Sequence, residues 1–299
     1  MHIPVLLQES VDALNLSPEA VVVDATLGEG GHAAEILRRL SERGRLIGFE
    51  RDRRMISALR LSDPRLAVVE GNFKDTARIL KSLELDRVDA VLGDLGVSAR
   101  HYRTPEWGFS FADGPLDMRL GEEGVTAADI LNGWPEDRLA AWLIESGERR
   151  GRSIAKVIAA FRQTRKLTRT SELIGLVEEA VGKSKRGSHP ATKVFRAIRE
   201  AVTGEREDLE SFIPSATESL KLNGRLAILT YSWEEERLVR RGADRLVKGC
   251  ICPHDFPVCR CGKVPTLRWI SRKGIVPGKR EVNGNPSARS AKLFVLERL

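Results

Sequence analysis

The 299-residue chain lacks the features that define several classes of protein. Its four cysteines are too few for the disulfide framework of a small secreted domain. No stretch approaches the roughly 20 apolar residues that cross a membrane, and the first residues do not combine a basic segment with an apolar run as a secretory signal does. Internal repeats and heptads are also missing. The composition therefore predicts a globular protein of the reducing cytoplasm, with about two domains at this length.

Positive charge is concentrated in one segment of the chain. The whole sequence has 49 basic and 42 acidic residues, whereas residues 147–206 contain 15 basic and 6 acidic side chains, so the remainder is slightly acidic. Such a segment indicates either a surface that faces a polyanion or the solvated faces of amphipathic helices. We favour contact with nucleic acid, because the excess is local rather than spread over the chain.

Strand-like and helix-like segments alternate over the first part of the sequence. A helical period over 32–43 separates two apolar, β-branched runs, and further runs follow at intervals. This alternation predicts an α/β fold with a doubly wound, mostly parallel sheet. The predicted strands are 20–26, 45–51, 66–72, 88–96, 225–232, 266–271 and 291–298.

The middle of the chain shows no convincing strand. Helical periods dominate it, and a stretch rich in Gly and Pro at 104–124 predicts a long loop. We therefore predict a discontinuous α/β domain (1–99 and 207–299) that is interrupted by a helical, basic insertion (100–206). The predicted helices of the insertion are 136–146, 151–163, 170–181 and 190–203, with Pro190 as the first residue of the last helix.

A glycine-rich loop follows the first predicted strand. Gly28, Gly30 and Ala33 fit the G-x-G-x-x-G/A pattern, in which glycines let the backbone approach a ligand. Glu50 ends the second predicted strand, where a carboxylate binds ribose hydroxyls in dinucleotide-binding folds. Tight turns between strand and helix also need glycines, but strand, loop, helix and acid in this order favour a cofactor that contains adenosine.

The residues between the strand and the glycines bear on the type of cofactor. Asp24–Leu27 lie there, whereas the glycines of a nicotinamide enzyme usually follow the strand directly. An acid at the strand end suits the sulfonium and amino groups of S-adenosylmethionine better than a pyrophosphate. Asp24 as the cap of a turn is the alternative, and a nicotinamide oxidoreductase is the rival function.

Several motifs resemble the RsmH (MraW) family of bacterial ribosomal-RNA cytosine N(4)-methyltransferases, in family order over nearly the whole chain. The longest are Gly108–Arg119 (GFSFADGPLDMR) and Asn285–Lys292 (NPSARSAK). The resemblance implies a class I, Rossmann-like methyltransferase domain with an inserted helical domain and S-adenosyl-L-methionine as cofactor. It also implies the substrate, the exocyclic N(4) amine of a cytosine in 16S ribosomal RNA near the decoding centre, within the small ribosomal subunit. The other matching segments are 24–32, 48–52, 71–73, 94–98, 189–192 and 255–262.

The resemblance further implies which residues bind the cofactor. Glu50 stands where the family usually has Asp, and His101 stands where it often has Gln. Phe73 matches the aromatic residue expected beside the adenine. The implied cofactor-binding residues are Gly30, Gly31, His32, Glu50, Phe73, Asp94 and His101.

One segment departs from the family. Where the family has Phe-His-Ser-Leu-Glu-Asp-Arg, this chain has Tyr231–Arg237 (YSWEEER), so Ser232 replaces the His. If that His positions the target base, the rate or the choice of substrate differs here. The departure leaves two alternatives open: an RNA-binding ribosome-assembly factor with weak or altered methyltransferase activity, or a paralogue that methylates a different RNA.

The chemistry points to a carboxylate at the cleft. The cytosine amine is a poor nucleophile, because its lone pair is delocalised into the ring, and a base must accept its proton. Asp94 at the end of the fourth predicted strand is the first catalytic candidate, although the resemblance also assigns it to the cofactor. Asp117 is the second, with a structural role in its loop as the alternative. Four aromatic residues could stack on the base or belong to the core: Trp107, Phe109, Phe111 and Trp233.

The basic segment and the cysteines supply the remaining candidates. Cys250-x-Cys252 and Cys259-x-Cys261 flank His254, which indicates a metal knuckle, a compact buried turn or a redox-labile loop. Paired zinc ligands are usually spaced by two to four residues, so a metal is not predicted from this spacing. The candidate phosphate contacts are Arg149, Arg150, Arg152, Lys183, Lys185, Arg186 and Lys193, of which Lys185 and Arg186 lie in a basic loop.

Overall fold

The computed structural model describes residues 4–183, 189–248, 250–252, 258 and 260–299. The chain forms two compact units. The first comprises Met1–Gly96 and Arg206–Leu299, and the second comprises Val97–Glu205. These boundaries lie within three residues of those predicted from the sequence, and the second unit contains nearly all of the basic segment.

The first unit is built on one seven-stranded sheet with the order β3-β2-β1-β4-β5-β7-β6. Strands β1 to β5 are parallel to one another, whereas β7 is antiparallel to both β5 and β6. The sheet is therefore mostly parallel, as the alternating pattern predicts. The strands are β1 (Val21–Asp24), β2 (Arg45–Glu50), β3 (Leu66–Glu70), β4 (Val88–Asp94), β5 (Leu220–Thr230), β6 (Leu267–Ile275) and β7 (Lys292–Arg298).

Helices belong to both units. Those before residue 97 and after residue 205 flank the sheet, and those between form the second unit. None of the helices in the described ranges combines the length and the apolar character needed to span a bilayer. The helices are α1 (Leu7–Ala13), α2 (Gly31–Arg39), α3 (Arg53–Ala58), α4 (Thr76–Ser82), α5 (Ala99–Arg103), α6 (Ala127–Gly133), α7 (Glu136–Glu145), α8 (Gly151–Phe161), α9 (Thr170–Val181), α10 (Thr192–Thr203), α11 (Glu205–Ser219), α12 (Trp233–Lys248) and α13 (Lys279–Gly284).

Both faces of the sheet are buried. Successive side chains of a strand point to opposite faces, and here both faces carry apolar residues. Val23 and Val91 pack in one core cluster, whereas their chain neighbours Val22 and Leu92 pack in another. This explains why the central strands are continuous apolar runs rather than alternating ones. The carboxyl ends of these strands are thereby held in a rigid frame.

The second unit has its own core, built from helices. Leu143, Ile154, Val177 and Ile198 come from four successive helices and are completely buried in one cluster. The long loop predicted at 104–124 is fixed by backbone hydrogen bonds to the segment before α9. Leu116 N–H donates to the Thr168 carbonyl at 2.9 Å within this unit. The insertion is therefore a folded helical unit.

The start of α10 corrects one sequence-based prediction. The helix begins at Thr192, two residues after Pro190, which was predicted as its first residue. Nδ1 of His189 accepts the N–H of Ala191 at 3.1 Å, so a short turn precedes the helix. The pattern also missed α5 and α6, because helices of five and seven residues are too short to display a clear period.

Candidate active site

The candidate site lies where the order of the strands reverses. From β1 the chain proceeds to β2 and β3 on one side, then returns to β4 on the other side of β1. Ligands of open α/β sheets bind at such a point, outside the carboxyl ends of the strands. Asp24 ends β1, Glu50 ends β2 and Asp94 ends β4. The topology thus places three carboxylates at adjacent strand ends.

The glycine loop is fastened to β2. Gly28 N–H donates to Oε2 of Glu50 at 3.1 Å. Gly30 precedes the first residue of α2 with φ of 80°, in the left-handed region that favours glycine. A Cβ on Gly31 would lie 2.3 Å from Cγ of Pro4, which is closer than atoms can approach. Both glycines are thus required by the conformation and the local packing of the loop.

Glu50 and Phe73 lie at the carboxyl ends of β2 and β3, and their assignment to the cofactor stays a prediction. Oε1 of Glu50 accepts the N–H of Asp52 at 2.9 Å. The two hydrogen bonds from Gly28 and Asp52 hold this carboxylate at the end of β2. Phe73 follows β3 and packs edge-on against Phe212, with ring centroids 5.2 Å apart. Its ring is half-buried at the carboxyl edge of the sheet.

Asp24 is the most perturbed of the three carboxylates. Its side chain is 1% exposed, and Oδ1 accepts the N–H of Thr26 at 3.2 Å. Oδ2 is buried and has no hydrogen-bond partner among the described residues. Burial raises the pKa of Asp24 from 3.8 to about 6; His32 and the Thr26 hydrogen bond oppose the rise, and Asp94 and Glu50 add to it. An orphaned, buried carboxylate oxygen is suited to a cationic ligand.

Asp94 is held from three directions. Its backbone N–H donates to Oγ1 of Thr26 at 2.7 Å. The Tyr231 hydroxyl donates to Oδ1 of Asp94 at 2.6 Å, and Nδ1 of His32 lies 3.5 Å from Oδ2. Nε2 of His32 lies 3.1 Å from the Val5 carbonyl oxygen, which fixes the ring. The carboxylate is therefore oriented, while about a quarter of its side chain is exposed.

Tyr231 is a site residue that the sequence analysis did not identify. Burial and the neighbouring Asp94 raise the pKa of the Tyr231 hydroxyl far above its usual value, so it stays a proton donor. Its position after β5 could have identified it, because β5 pairs in parallel with β4 and ends at the same edge of the sheet as Asp94. The departure from the family at this residue, Tyr for Phe, supplies the hydroxyl that Asp94 binds.

The rest of the departing segment caps a helix. Oε2 of Glu235 accepts the N–H of Tyr231 at 2.6 Å and that of Ser232 at 3.0 Å. Oγ of Ser232 accepts the N–H of Glu235 at 3.2 Å. This reciprocal pair is a capping box that begins α12. Ser232, which stands where the family has His, thus has a structural function here.

The candidates in the second unit have different surroundings. His101 is 3% exposed and packs between the rings of Trp107 and Phe109 at centroid distances of 5.2 and 5.0 Å. Its assignment to the cofactor stays a prediction. Asp117 forms two hydrogen bonds with the guanidinium of Arg119 at 2.9 and 2.8 Å and accepts its backbone N–H. This pairing favours the structural alternative for Asp117.

The raised pKa of Asp24 predicts a pH-dependent cost to stability. In the cofactor-free protein, ionisation of Asp24 costs more in the folded state than in the unfolded chain. Stability is therefore lost as the pH rises from about 4 to about 6, by about 3 kcal/mol in total. We expect Asp24→Asn to be more stable than the wild type at pH of about 8, with the gain vanishing near pH 4. Urea unfolding across this range measures the difference.

Asp137→Asn serves as the control for this prediction, since Asp137 is an exposed carboxylate in the first turn of α7. It should change the free energy of unfolding by less than about 1 kcal/mol at every pH. An Asp24→Asn variant whose gain does not depend on pH would contradict the assignment.

Comparison with known proteins identifies the family. The model of the MraW methylase family matches residues 1–299. The chain is 43% identical to the ribosomal RNA small subunit methyltransferase H of Carboxydothermus hydrogenoformans, over 100% of this chain and 98% of the relative. It is 42% identical to the protein of that name from Symbiobacterium thermophilum, over 100% of this chain and 96% of the relative. A solved rRNA methylase from Streptococcus thermophilus is similar at 14% identity with a TM-score of 0.45, over 100% and 99% of the two chains, which adds nothing to the fold described above. The full-length match to the family model and the identity to these relatives show that the chain belongs to the MraW methylase family.

Proposed function

We propose that the protein transfers a methyl group from S-adenosylmethionine to the N(4) amine of a cytosine in 16S ribosomal RNA, near the decoding centre of the small subunit. Membership of a methylase family and relatives named for the small-subunit ribosomal RNA support the reaction and the substrate class. The observation that carries the mechanism is the oriented carboxylate of Asp94, beside the buried Asp24 at the switch point of the sheet. The reaction takes place in the cytoplasm, where the small subunit is available.

The residues at the sheet edge fit the cofactor. S-adenosylmethionine supplies a methyl group that is already activated by its positively charged sulfur. Asp24 offers a buried, unpartnered oxygen to the cationic part of the molecule. Glu50 would bind the ribose hydroxyls and Phe73 would lie against the adenine, while Gly30 and Gly31 set the path of the loop beside them. Because the cofactor carries the activation, the protein contributes chiefly position and electrostatics.

Asp94 acts on the amine. A hydrogen bond from the cytosine N–H to a carboxylate oxygen would return electron density to the nitrogen. The carboxylate would take the N–H proton while the N–C bond forms and the bond between the methyl carbon and the sulfur breaks, which leaves the sulfur as a neutral thioether. Tyr231 donates to Oδ1 and Nδ1 of His32 lies 3.5 Å from Oδ2, so the carboxylate is oriented, and each of its oxygens can accept a second hydrogen bond. The Tyr231 hydroxyl fixes the rotation of the Asp94 carboxylate, so less conformational entropy is lost when the reactive geometry forms.

A base in structured RNA must leave its stack to reach such a site. Aromatic side chains that retain exposed rings can receive it. Trp233 is 67% exposed and Phe111 is 40% exposed, whereas Phe109 is buried in the core of the second unit. Trp233 belongs to the first unit, as Asp94 does, so of the four aromatic candidates it is the one that we assign to stacking.

The test is methyl incorporation into unmodified small ribosomal subunits. Labelled S-adenosylmethionine, followed by digestion of the RNA to nucleosides, should give N(4)-methylcytidine. Asp94→Asn, which keeps the shape but removes the proton acceptor, should lower the rate at least 100-fold. Tyr231→Phe should lower it about tenfold, because one hydrogen bond to a charged group is lost.

Asp89→Asn is the matched control, because Asp89 lies on the same strand and accepts the N–H of Val21 at the opposite end of the sheet. It should retain the wild-type rate. Label in another nucleoside would assign a different RNA substrate, and cofactor binding without any label would favour the assembly-factor alternative.

A basic cavity in the second unit supports binding to RNA. It has a volume of about 440 Å³ and brings together four of the predicted phosphate contacts, with Glu148 as the acidic residue in its lining. Nη1 of Arg150 is anchored on the Val181 carbonyl at 2.7 Å, and Nζ of Lys193 on the Gly147 carbonyl at 3.1 Å. Lys185 and Arg186 lie outside the described residues. The four cations of the cavity are Arg149, Arg150, Lys183 and Lys193.

Charge reversal in this cavity should weaken RNA binding. Arg149→Glu and Lys193→Glu each remove one cation that can neutralise a phosphate, so each should reduce the dependence of log K on log salt by about one. Arg60→Glu makes the same change of charge at an exposed position of the first unit and should leave the salt slope unchanged. Equal slopes for all three variants would exclude the cavity from the RNA interface.

A further inference from the structure

The cysteines lie in the long connection between α12 and β6. This connection is closed at its base, where Thr266 N–H donates to the Leu246 carbonyl at 2.9 Å. Three apolar side chains among its described residues, Ile251, Val258 and Val264, are each about two-thirds exposed, at 67%, 68% and 69%. These side chains contribute little apolar burial, so a metal is a suitable further source of order for this segment.

Three thiol groups converge in this connection. The Sγ atoms of Cys250, Cys252 and Cys261 all lie within 4.8 Å of one another, and those of Cys250 and Cys261 are 3.9 Å apart. Sulfur ligands at about 2.3 Å from a tetrahedral zinc ion are about 3.8 Å apart. The separation is too long for a disulfide bond, whose sulfurs are about 2.05 Å apart. The cluster therefore has the spacing of metal ligands.

Backbone groups are arranged to support negative charge on the sulfurs. Ile251 N–H donates to Sγ of Cys261 at 3.5 Å, and Arg260 N–H donates to Sγ of Cys252 at 3.4 Å. Such N–H···S contacts stabilise a thiolate, which is the form that binds metal. Ile251 lies between Cys250 and Cys252, and Arg260 directly precedes Cys261. Each hydrogen bond therefore connects one cysteine-containing segment to the other.

The turn after the last cysteine is also specialised. Gly262 has φ of 61° and follows Cys261 directly, so the chain reverses at once behind the sulfur ligand. A residue with a side chain is strained in this conformation. Gly262 therefore fixes the backbone conformation immediately after Cys261.

From these contacts we infer that the thiolates of Cys250, Cys252 and Cys261 bind a structural zinc ion that orders the connection between α12 and β6. Each thiol gives up its proton as its S–Zn bond forms, so binding releases protons to the solvent. Cys259 and His254 lie outside the described residues, and the inference takes no geometry from them. The site belongs to the first unit and is independent of the proposed methyl transfer.

The test is the metal content of full-length protein that has been purified under reducing conditions without chelators. Elemental analysis should give about one zinc per chain. Cys252→Ser and Cys261→Ser should lose the metal. Val264→Ser, an exposed position of the same connection that is not a ligand, should keep it.

A second measurement does not depend on the folding of the variants. Metal-free wild-type protein that takes up Co²⁺ should show sulfur-to-cobalt charge-transfer absorption and the intense visible bands of a tetrahedral thiolate site. Zinc near zero in the purified protein together with no cobalt uptake would overturn the inference. So would zinc that both serine variants retain, or a disulfide in the reduced preparation.

Discussion

A buried carboxylate with an unsatisfied oxygen is the constraint on which the site depends. Asp24 ends the central strand of the sheet, and apolar clusters on both faces exclude water from its surroundings. Burial alone raises its pKa, and two further carboxylates at neighbouring strand ends raise it more. The cofactor-free protein bears this electrostatic cost. A cation bound at the sheet edge lowers the free-energy cost of ionising Asp24. The site therefore favours a positively charged ligand.

The catalytic geometry follows from the register of two strands. Asp94 pairs with Leu229 in the parallel β4–β5 ladder, and Tyr231 follows two residues later at the same edge. This register brings the hydroxyl to 2.6 Å from Oδ1 of Asp94. A shift of the register would separate the two groups, so the core residues of β4 and β5 also maintain this hydrogen bond. His32, at the start of α2, lies beside Oδ2 of Asp94 and so restricts the rotation of this carboxylate.

Much of this architecture is legible in the sequence. The strands were predicted from continuous apolar runs rich in β-branched residues. Such runs are expected because a strand that is buried on both faces carries apolar side chains at successive positions. The motif order implied the glycine loop, Glu50 and Asp94. Successive helical periods indicated the second unit. Helix α5 has five residues, which are too few to show a detectable period.

The remaining features depend on contacts between distant residues. Tyr231 and Asp94 are 137 positions apart, and only the pairing of β4 with β5 brings them together. Ser232 stands where the family has a His that could position the target base, and its hydrogen bond with Glu235 shows that it caps a helix here. The C-x-C spacing argued against a metal, because the spacing within a pair does not show how close Cys261 lies to Cys250 and Cys252 in the folded chain.

The central claim is that Asp24 becomes ionised when the cation of S-adenosylmethionine binds. Titration calorimetry in buffers of different ionisation enthalpy measures the protons released on binding. Near pH 6, where Asp24 is about half protonated, the wild type should release about half a proton more than Asp24→Asn, and near pH 8 the two should agree. Equal proton release by the two proteins near pH 6 would contradict the account.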